Sequence, residues 1–155
     1  MYCLIVDANV AYKTLDLEST HEDYKKISHC LFDSYSPVRM AYGGLLRAEL
    51  YKSGKEQVLL DLERAGKAKD FSSETLNNLA QTMEAEGLRS NDAHIIALAR
   101  ISGARLLCSE DKQLHRDFKN RLLLSKPPGK VYSLSGHEDL VRTGCPQRTR
   151  RQKKH

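Results

Sequence analysis

Four acidic residues spaced along the chain have the type and setting expected of ligands to a hard divalent cation. They are Asp7, Glu49, Asp92 and Asp111. Carboxylates that gather without compensating positive charge repel one another, and each is driven toward its protonated form. A divalent cation removes this conflict, and Mg²⁺ typically binds one or two carboxylates together with waters and substrate phosphate oxygens. The elements that carry the four acids therefore decide whether they can act together.

Asp7 ends a short apolar run, residues 2–6, whose lack of polar alternation predicts a strand buried on both faces. Strands of this kind occupy the centre of parallel sheets, and ligands bind in the crevice at the carboxyl ends of the strands. Asp7 is therefore a candidate site residue. The alternative that Asp7 only caps the next helix stays open, since Asp is a preferred N-cap residue.

The other three acids also lie at the start of a helix, at the end of a strand or in a helix after a turn. Three cap-forming residues at positions 90–92 begin a helix that Ser102-Gly103 closes, and its apolar residues cover so much of its circumference that it must be largely buried. A strand at residues 105–108 follows and ends in Ser109-Glu110-Asp111. Glu49 lies in a predicted helix, residues 45–52, after a Gly43-Gly44 turn.

Short strands and helices alternate along the rest of the chain. The pattern predicts further strands at residues 38–42, 68–71 and 131–134, and helices at 8–15, 21–34, 56–64, 74–86, 112–119 and 137–142. This order predicts a three-layer α/β/α sandwich with a central, mostly parallel sheet. In a doubly wound topology, all four acids converge at one edge of that sheet.

Charge and length divide the chain into a neutral body and a basic tail. The 155 residues carry 25 Lys and Arg against 20 Asp and Glu, which is a net charge of +5. Five of the basic residues lie in residues 145–155, so the rest of the chain has 20 charges of each sign. We therefore expect one domain, residues 1–144, followed by a disordered tail, residues 145–155.

The four cysteines, Cys3, Cys30, Cys108 and Cys145, are far apart and form no C-x-x-C pair. This spacing argues against a zinc site and against a disulfide framework, and it predicts reduced thiols in a cytoplasmic protein. No segment has the apolar length needed to span a membrane, and the N-terminal apolar run reaches Asp7 too early for a signal peptide.

The residues around the four acids resemble the motifs of the PIN domain nucleases. The matching segments are Val6-Asp7-Ala8-Asn9, Arg47-Ala48-Glu49-Leu50, Asn91-Asp92-Ala93-His94-Ile95-Ile96-Ala97 and Cys108-Ser109-Glu110-Asp111. They occur in the family's order between residue 2 and about residue 135. One departure is Ala8, where the family often has a hydroxyl residue. Glu56 and Glu63 also lie on helices, and only the local Ala-Glu-Leu context selects Glu49.

The resemblance implies a metal-dependent ribonuclease, similar to toxins of the VapC type. The four acids would hold one or two Mg²⁺ or Mn²⁺ ions, and attack by water would leave a 5′-phosphate and a 3′-hydroxyl. Candidate partners are RNA, an antitoxin protein and, by analogy with family members that dimerise, a second copy of the chain. An alternative is a non-catalytic RNA-binding scaffold whose metal site has decayed. A phosphorylated receiver domain is disfavoured, because no Lys ends the strand at residues 105–108.

Several other residues are candidates for supporting positions. Asn9 and Ser109 are expected to orient the acids or the water, or else to make ordinary turn and cap hydrogen bonds. Glu110 and Asp117 lie near Asp111 and are candidates to substitute for it or assist it. His94 is a candidate metal ligand, but Mg²⁺ prefers oxygen ligands, so we expect a packed or surface residue. Basic residues near the acids and in the tail are candidates to bind RNA phosphates; alternatively, they only form a surface that faces solvent. They are Lys13, Lys52, Lys112, Arg116, Arg148, Arg150 and Arg151.

Overall fold

A five-stranded sheet forms the centre of the computed structural model, which describes residues 2–18, 20–133, 135–143 and 145. Its strands are β1 (Leu4–Val6), β2 (Met40–Tyr42), β3 (Ala68–Asp70), β4 (Leu106–Cys108) and β5 (Lys130–Tyr132). The spatial order is β3-β2-β1-β4-β5, and each strand is parallel to its neighbours. The predicted parallel sheet with the first strand at its centre is therefore confirmed.

Helices connect the strands and complete a three-layer α/β/α fold. They are α1 (Ala11–Thr14), α2 (Lys25–Phe32), α3 (Gly44–Lys52), α4 (Glu56–Arg64), α5 (Glu74–Ala85), α6 (Ser90–Ser102), α7 (Lys112–Lys119) and α8 (Leu140–Thr143). Two 3₁₀ turns, Ala8–Val10 and Ser135–His137, precede α1 and α8. The helix predicted at residues 8–15 is divided because Val10, with φ −118° and ψ 7°, departs from α-helical dihedral angles. Leu134, predicted to end the last strand, lies outside the described residues.

The core lies between the sheet and the helices that cover it. Leu4, Ile5 and Val6 of β1 are fully buried, as a strand covered on both faces requires. Helix α6 is buried from Ile95 to Ala99 and packs against α3, α5 and β2. This burial confirms the prediction of a largely enclosed helix, and it gives the acid in the first turn of α6 a fixed position.

The glycine pair between β2 and α3 determines where α3 begins. Gly43 has φ +154°, and a Cβ atom there would lie 2.8 Å from the backbone nitrogen of Ser72 and 3.0 Å from the carbonyl carbon of Phe71. Gly44 has φ +57°, in the left-handed region that glycine adopts without strain. The pair lets the chain turn sharply against the end of β3, and α3 then carries Glu49 toward the carboxyl edge of β1.

A disulfide joins Cys3 to Cys145, with a Cα–Cα distance of 5.2 Å across 142 residues of sequence. The prediction of reduced thiols is wrong for this pair, because distance along the chain says nothing about distance in the fold. Cys30 and Cys108 are free and buried. Cys145 is also buried, so the folded part includes the residue predicted to begin the tail. Residues 146–155, with Arg148, Arg150 and Arg151, lie outside the described residues.

Across the part of the chain that the structure describes, no helix is both long enough and apolar enough to span a membrane.

Candidate functional site

The predicted acids lie around the carboxyl ends of the central strands, where the strand order reverses. Asp7 follows β1, and Asp111 follows β4, the strand beside it. Asp92 lies in the first turn of α6, and Glu49 lies in α3. Strands β2 and β3 lie on one side of β1, and β4 and β5 lie on the other, so the strand order reverses between β1 and β4. In open α/β sheets, ligands bind at the carboxyl ends of the strands at this position.

Ser109 connects the ends of β1 and β4. It is fully buried, and its Oγ donates a hydrogen bond to Asp7 Oδ2 at 2.7 Å. The same Oγ accepts hydrogen bonds from the backbone nitrogen of Asp111 at 3.0 Å and from Asn9 Nδ2 at 3.5 Å. Asn9 Oδ1 in turn accepts a hydrogen bond from the Glu110 backbone nitrogen at 3.3 Å. The structure therefore brings Asn9 and Ser109 together beside Asp7, which makes no capping hydrogen bond to the 3₁₀ turn that follows it.

Asp111 is the N-cap residue of α7 and also faces the other acids. Its Oδ1 accepts hydrogen bonds from the backbone nitrogens of Gln113 at 3.0 Å and Leu114 at 3.2 Å. These bonds satisfy backbone donors that the first turn of a helix leaves without partners. The cap holds the carboxylate in one orientation, with Oδ2 directed toward Arg89 at 3.0 Å.

Arg89 bridges two of the four acids, and sequence reasoning missed it. Its Nη2 lies 3.0 Å from Asp111 Oδ2 and 3.4 Å from Asp92 Oδ1. The Asp92 side chain is completely buried, whereas that of Arg89 is 58% exposed. The available signal was the spacing of Arg89 and Asp92 at i and i+3, which places both residues on one side of a helix start.

Burial and mutual repulsion act on the acids beside β1. Burial raises the pKa of Asp7; the hydrogen bond from Ser109 opposes this rise, and the negative charge of Asp111 adds to it. Burial also raises the pKa of Glu49, and the charge of Asp7 raises it further. The acids on α3, β1 and β4 therefore influence one another electrostatically, as expected of carboxylates that share one site.

Asp92 has the largest shift among the acids of this edge. Burial and the neighbouring carboxyl group of Asp117 raise its pKa to about 6, although Arg89 favours the charged form. Asp117, a candidate to substitute for or assist Asp111, lies close enough to Asp92 to raise its pKa. Gln113 Nε2 donates a weak hydrogen bond to Asp117 Oδ1 at 3.4 Å. Among the described contacts, Arg89 is the arginine that bridges acids at this end of the sheet.

Comparison with known families agrees with this geometry. The PIN domain model matches residues 4–119, about three quarters of the chain, and the match includes all four predicted acids. The chain belongs to the PIN domain family. PIN domains are generally nucleases that act on nucleic acids, typically with divalent metals. No curated protein and no solved structure matches the chain.

In the described part of this PIN domain, the other helical glutamates considered for the fourth acid, Glu56 and Glu63, do not contact the acids around β1. Glu63 Oε1 accepts a hydrogen bond from the Tyr42 hydroxyl at 2.5 Å, and Glu56 is exposed at the start of α4. His94 Nε2 lies 3.4 Å from Glu84 Oε1, so it interacts with α5. The charge of Asp7 raises the pKa of Glu49, so Glu49 lies within electrostatic reach of the other acids.

The predicted RNA contacts of the PIN domain have unequal surroundings. Lys13 forms an ion pair with Glu110, and its Nζ lies 5.4 Å from the ring centroids of Tyr12 and Tyr24. The charge of Lys13 is therefore already compensated within the fold. The remaining three described candidates lie exposed at the end of α3 and along α7; they are Lys52, Lys112 and Arg116.

The donor set of this PIN domain fits a divalent cation in its chemistry. Carboxylate oxygens are the ligands that Mg²⁺ and Mn²⁺ prefer, and burial raises the pKa values of Asp7, Glu49 and Asp92. In the described residues, no three His, Cys, Asp or Glu side chains are grouped closely enough to hold a metal. Arg89 supplies the positive charge between Asp92 and Asp111 in this arrangement.

Proposed function

We propose that this PIN domain is a metal-dependent ribonuclease that hydrolyses phosphodiester bonds and leaves a 5′-phosphate and a 3′-hydroxyl. The observation that carries the proposal is one connected set of acids at the point where the strand order reverses. Glu49 interacts with Asp7, Asp7 with Asp111, and Arg89 links Asp111 to Asp92. Such a set is suited to a cation and to the phosphate oxygens that the cation would contact.

Three of the four acids have distinct means of being held in place. Ser109 orients Asp7 through its 2.7 Å hydrogen bond, and the first turn of α7 orients Asp111. Burial of Asp92 in α6 keeps that carboxylate away from bulk water. Asp7, Glu49, Asp92 and Asp111 would hold one or two Mg²⁺ or Mn²⁺ ions. Such ions, when bound, lower the pKa of a water molecule, align it with phosphorus and stabilise charge on the leaving oxygen.

We also propose that basic side chains outside this set attract the RNA backbone. Lys52, Lys112 and Arg116 are exposed near the acids in sequence, and Arg148, Arg150 and Arg151 belong to the basic tail. Their positive charge would offset the acidic site for an incoming polyanion. Lys13 is a weaker candidate, because its ion pair with Glu110 must open before it can contact phosphate.

A toxin of a toxin–antitoxin pair, active as a homodimer in the cytoplasm, is the finer form of the proposal. The resemblance to the PIN domain nucleases, which include toxins of the VapC type, supports it. Disulfides persist mainly in oxidising compartments. A cytoplasmic location therefore requires that the bond between Cys3 and Cys145 persist under reducing conditions. An antitoxin that neutralises this chain on co-expression would support the finer form.

A non-catalytic RNA-binding scaffold is the second candidate. The observation that favours it is the ion-pair bridge from Arg89 to Asp92 and Asp111, together with the absence of a three-ligand group among the described residues. In this reading, arginine permanently supplies the charge that a metal supplies in an active nuclease. The nuclease should cleave RNA when metal is added, whereas the scaffold should bind RNA without cleaving it.

Incubation of the purified protein with RNA distinguishes the two candidates. We expect cleavage in Mg²⁺ or Mn²⁺, none in EDTA, and loss of activity by at least about a hundredfold in Asp7→Asn, because groups that act as a unit lose most of their effect together. The fragments should carry 5′-phosphates, which a 5′-phosphate-dependent exonuclease detects. RNA binding without cleavage in any metal would instead support the scaffold.

A further inference from the structure

Arg89 reaches the acids from the rim of the site. It is the N-cap residue of α6, and its backbone φ of −63° and ψ of 151° are extended, so its side chain leaves the chain just before the helix begins. Its Nη2 approaches both oxygens of Asp111, at 3.0 Å and 3.3 Å, and both oxygens of Asp92, at 3.4 Å and 3.5 Å. One guanidinium nitrogen therefore lies between the two carboxylates.

A cation that needs the oxygens of Asp92 and Asp111 must compete with this contact. Both carboxylates face the same nitrogen, so a divalent ion cannot take the position between them while Arg89 remains there. Replacement requires little rearrangement of the backbone, because more than half of the Arg89 side chain is exposed to solvent. Asp92 and Asp111 themselves stay fixed, since one is buried in α6 and the other caps α7.

We propose that Arg89 is an exchangeable counter-ion of the site: it holds Asp92 and Asp111 together in the absence of metal, and a divalent cation displaces it. The inference rests on the proposed function, because it assigns the same acids to a cation. Once displaced, the guanidinium remains at the rim of the site, where its planar fork of donors suits a phosphate group. Arg89 therefore positions Asp92 and Asp111 in the metal-free protein, and it binds a phosphate group in the metal-bound protein.

Binding of Mn²⁺ to three proteins, measured by calorimetry, tests the first half of this proposal. We expect Arg89→Gln to bind Mn²⁺ roughly three- to tenfold more tightly than the wild type, the range expected for loss of a partly exposed competing ion pair. The control is Arg47→Gln. Arg47 also forms a 3.0 Å ion pair, with Asp70, and it lies over the ring of Tyr51. Both variants lose one positive charge, so the difference between them reports on the direct contact.

Thermal melts of the same proteins separate competition from a merely structural effect. In EDTA, Arg89→Gln should melt below the wild type, because Asp92 loses its positive partner. In saturating Mn²⁺ this difference should shrink or reverse. A structural role alone would give the same deficit with and without the ion. Equal Mn²⁺ affinity of the wild type and Arg89→Gln would overturn the inference and leave the proposed nuclease intact.

The other metal outcomes are equally decisive. Binding by Arg89→Gln but not by the wild type would overturn the exchange, because the cation would then be unable to displace Arg89, and it would favour the scaffold over the nuclease. Absence of Mn²⁺ binding by both proteins would overturn the competition. It would overturn the metal-dependent nuclease as well only if the wild type also fails to cleave RNA.

A mononucleotide tests the second half, since it carries a phosphate but no phosphodiester bond to cleave. With Mn²⁺ saturating each protein, we expect Arg89→Gln to bind adenosine 5′-monophosphate roughly five- to tenfold more weakly than the wild type. Arg47→Gln should bind it like the wild type. Equal binding by Arg89→Gln and the wild type would show that the displaced arginine does not contact phosphate.

Discussion

Ser109 is the residue on which the arrangement of the acids most directly depends. It lies 102 positions from Asp7 in sequence and yet donates the hydrogen bond that orients the Asp7 carboxylate. It also accepts a hydrogen bond from the backbone of Asp111. A single hydroxyl group therefore links two of the proposed metal ligands, and neither ligand can rotate independently of it.

Replacement of Ser109 by alanine should impair both stability and cleavage. The Asp7 carboxylate and the partly buried backbone nitrogen of Asp111 each lose a partner, at a cost of about 1–3 kcal/mol in the free energy of unfolding. We expect metal-dependent cleavage to fall by about 10–100-fold, as for other groups that orient ligands. The control is Ser28→Ala, since Ser28 is equally buried and bonds the backbone of Thr14 at 2.8 Å. Equal cleavage by the two variants would contradict an orienting role for Ser109.

The raised pKa of Asp92 predicts how stability changes with pH in metal-free protein. The folded state binds the Asp92 proton more tightly than the unfolded chain does, with a pKa of about 6 against an ordinary 3.8. This contribution to stability is complete below the unfolded pKa and is lost as the pH rises through the folded pKa. The wild type should therefore lose stability between about pH 4 and pH 6, and Asp92→Asn should not.

Thermal melts in EDTA across this pH range measure the effect. At pH 7 we expect Asp92→Asn to melt several degrees above the wild type, at roughly 2–4 °C per kcal/mol for a chain of this size. Asp61→Asn is the control for a lost surface charge, because the Asp61 side chain is 59% exposed in α4. Mn²⁺ at a hundred times its dissociation constant should stabilise the wild type by about 2.7 kcal/mol and Asp92→Asn far less. If the melting temperatures of the two proteins changed in parallel with pH, the pKa of Asp92 would not be raised in the folded state.

At the scale of elements, the turn between β2 and α3 decides whether Glu49 reaches Asp7. Helix α3 begins directly after the glycine pair, and the close approach of Gly43 to the backbone after β3 fixes its direction. Neither the apolar pattern of α3 nor its helix propensity encodes that direction. A side chain at position 43 would push α3 away from β3 and move Glu49 with it.

Gly43→Ala should therefore lower both stability and cleavage. Its Cβ would lie 2.8 Å from a backbone nitrogen that cannot move like a side chain, so we expect a loss of about 1–3 kcal/mol. Gly54→Ala is the control, because Gly54 has φ +81° and no atom lies within 4 Å of its added Cβ. That variant should lose only about 1–2 kcal/mol to backbone strain and retain cleavage. Chemical denaturation and the RNA assay measure the two effects. Full cleavage by Gly43→Ala would contradict the dependence of Glu49 on this turn.

At the scale of the whole molecule, the disulfide lies at the amino ends of the central strands and the acids lie at their carboxyl ends. Cys3 precedes β1 and Asp7 follows it, so β1 separates them by about 13 Å at 3.3 Å per residue. The disulfide ties the described C-terminal part of the chain to the amino edge of the central strand. Its contribution should therefore be to stability rather than to the chemistry of the acids.

Reduction of the protein should test this separation. The Cys3–Cys145 bond closes a very long loop, so its loss should reduce the free energy of unfolding by about 2–4 kcal/mol. Cleavage of RNA well below the melting temperature should change little. Thiol titration of the denatured, unreduced protein should find two thiols, Cys30 and Cys108, and four after reduction. Four thiols before reduction would show that the bond does not form.

The fold and the family were predictable from the sequence because their signals are local. An apolar run that ends in an acid, and cap-forming residues before a helix, are read within a few positions of the chain. The bounds predicted for α4 and α7 agree with the structure for this reason. The four acids were found in the same way, and their functions stay predictions until they are mutated.

Only the tertiary structure decided which groups meet at the site. Arg89 and Asp111 are 22 positions apart, Ser109 and Asp7 are 102 apart, and Cys3 and Cys145 are 142 apart. The contact between Ser109 and Asp7 depends on the order β3-β2-β1-β4-β5, because that order places the ends of β1 and β4 side by side. Local patterns specify where a strand or helix begins and which side chain stands at its end. Strand order follows from the packing of all the elements together, and it determines that an arginine lies between the acids.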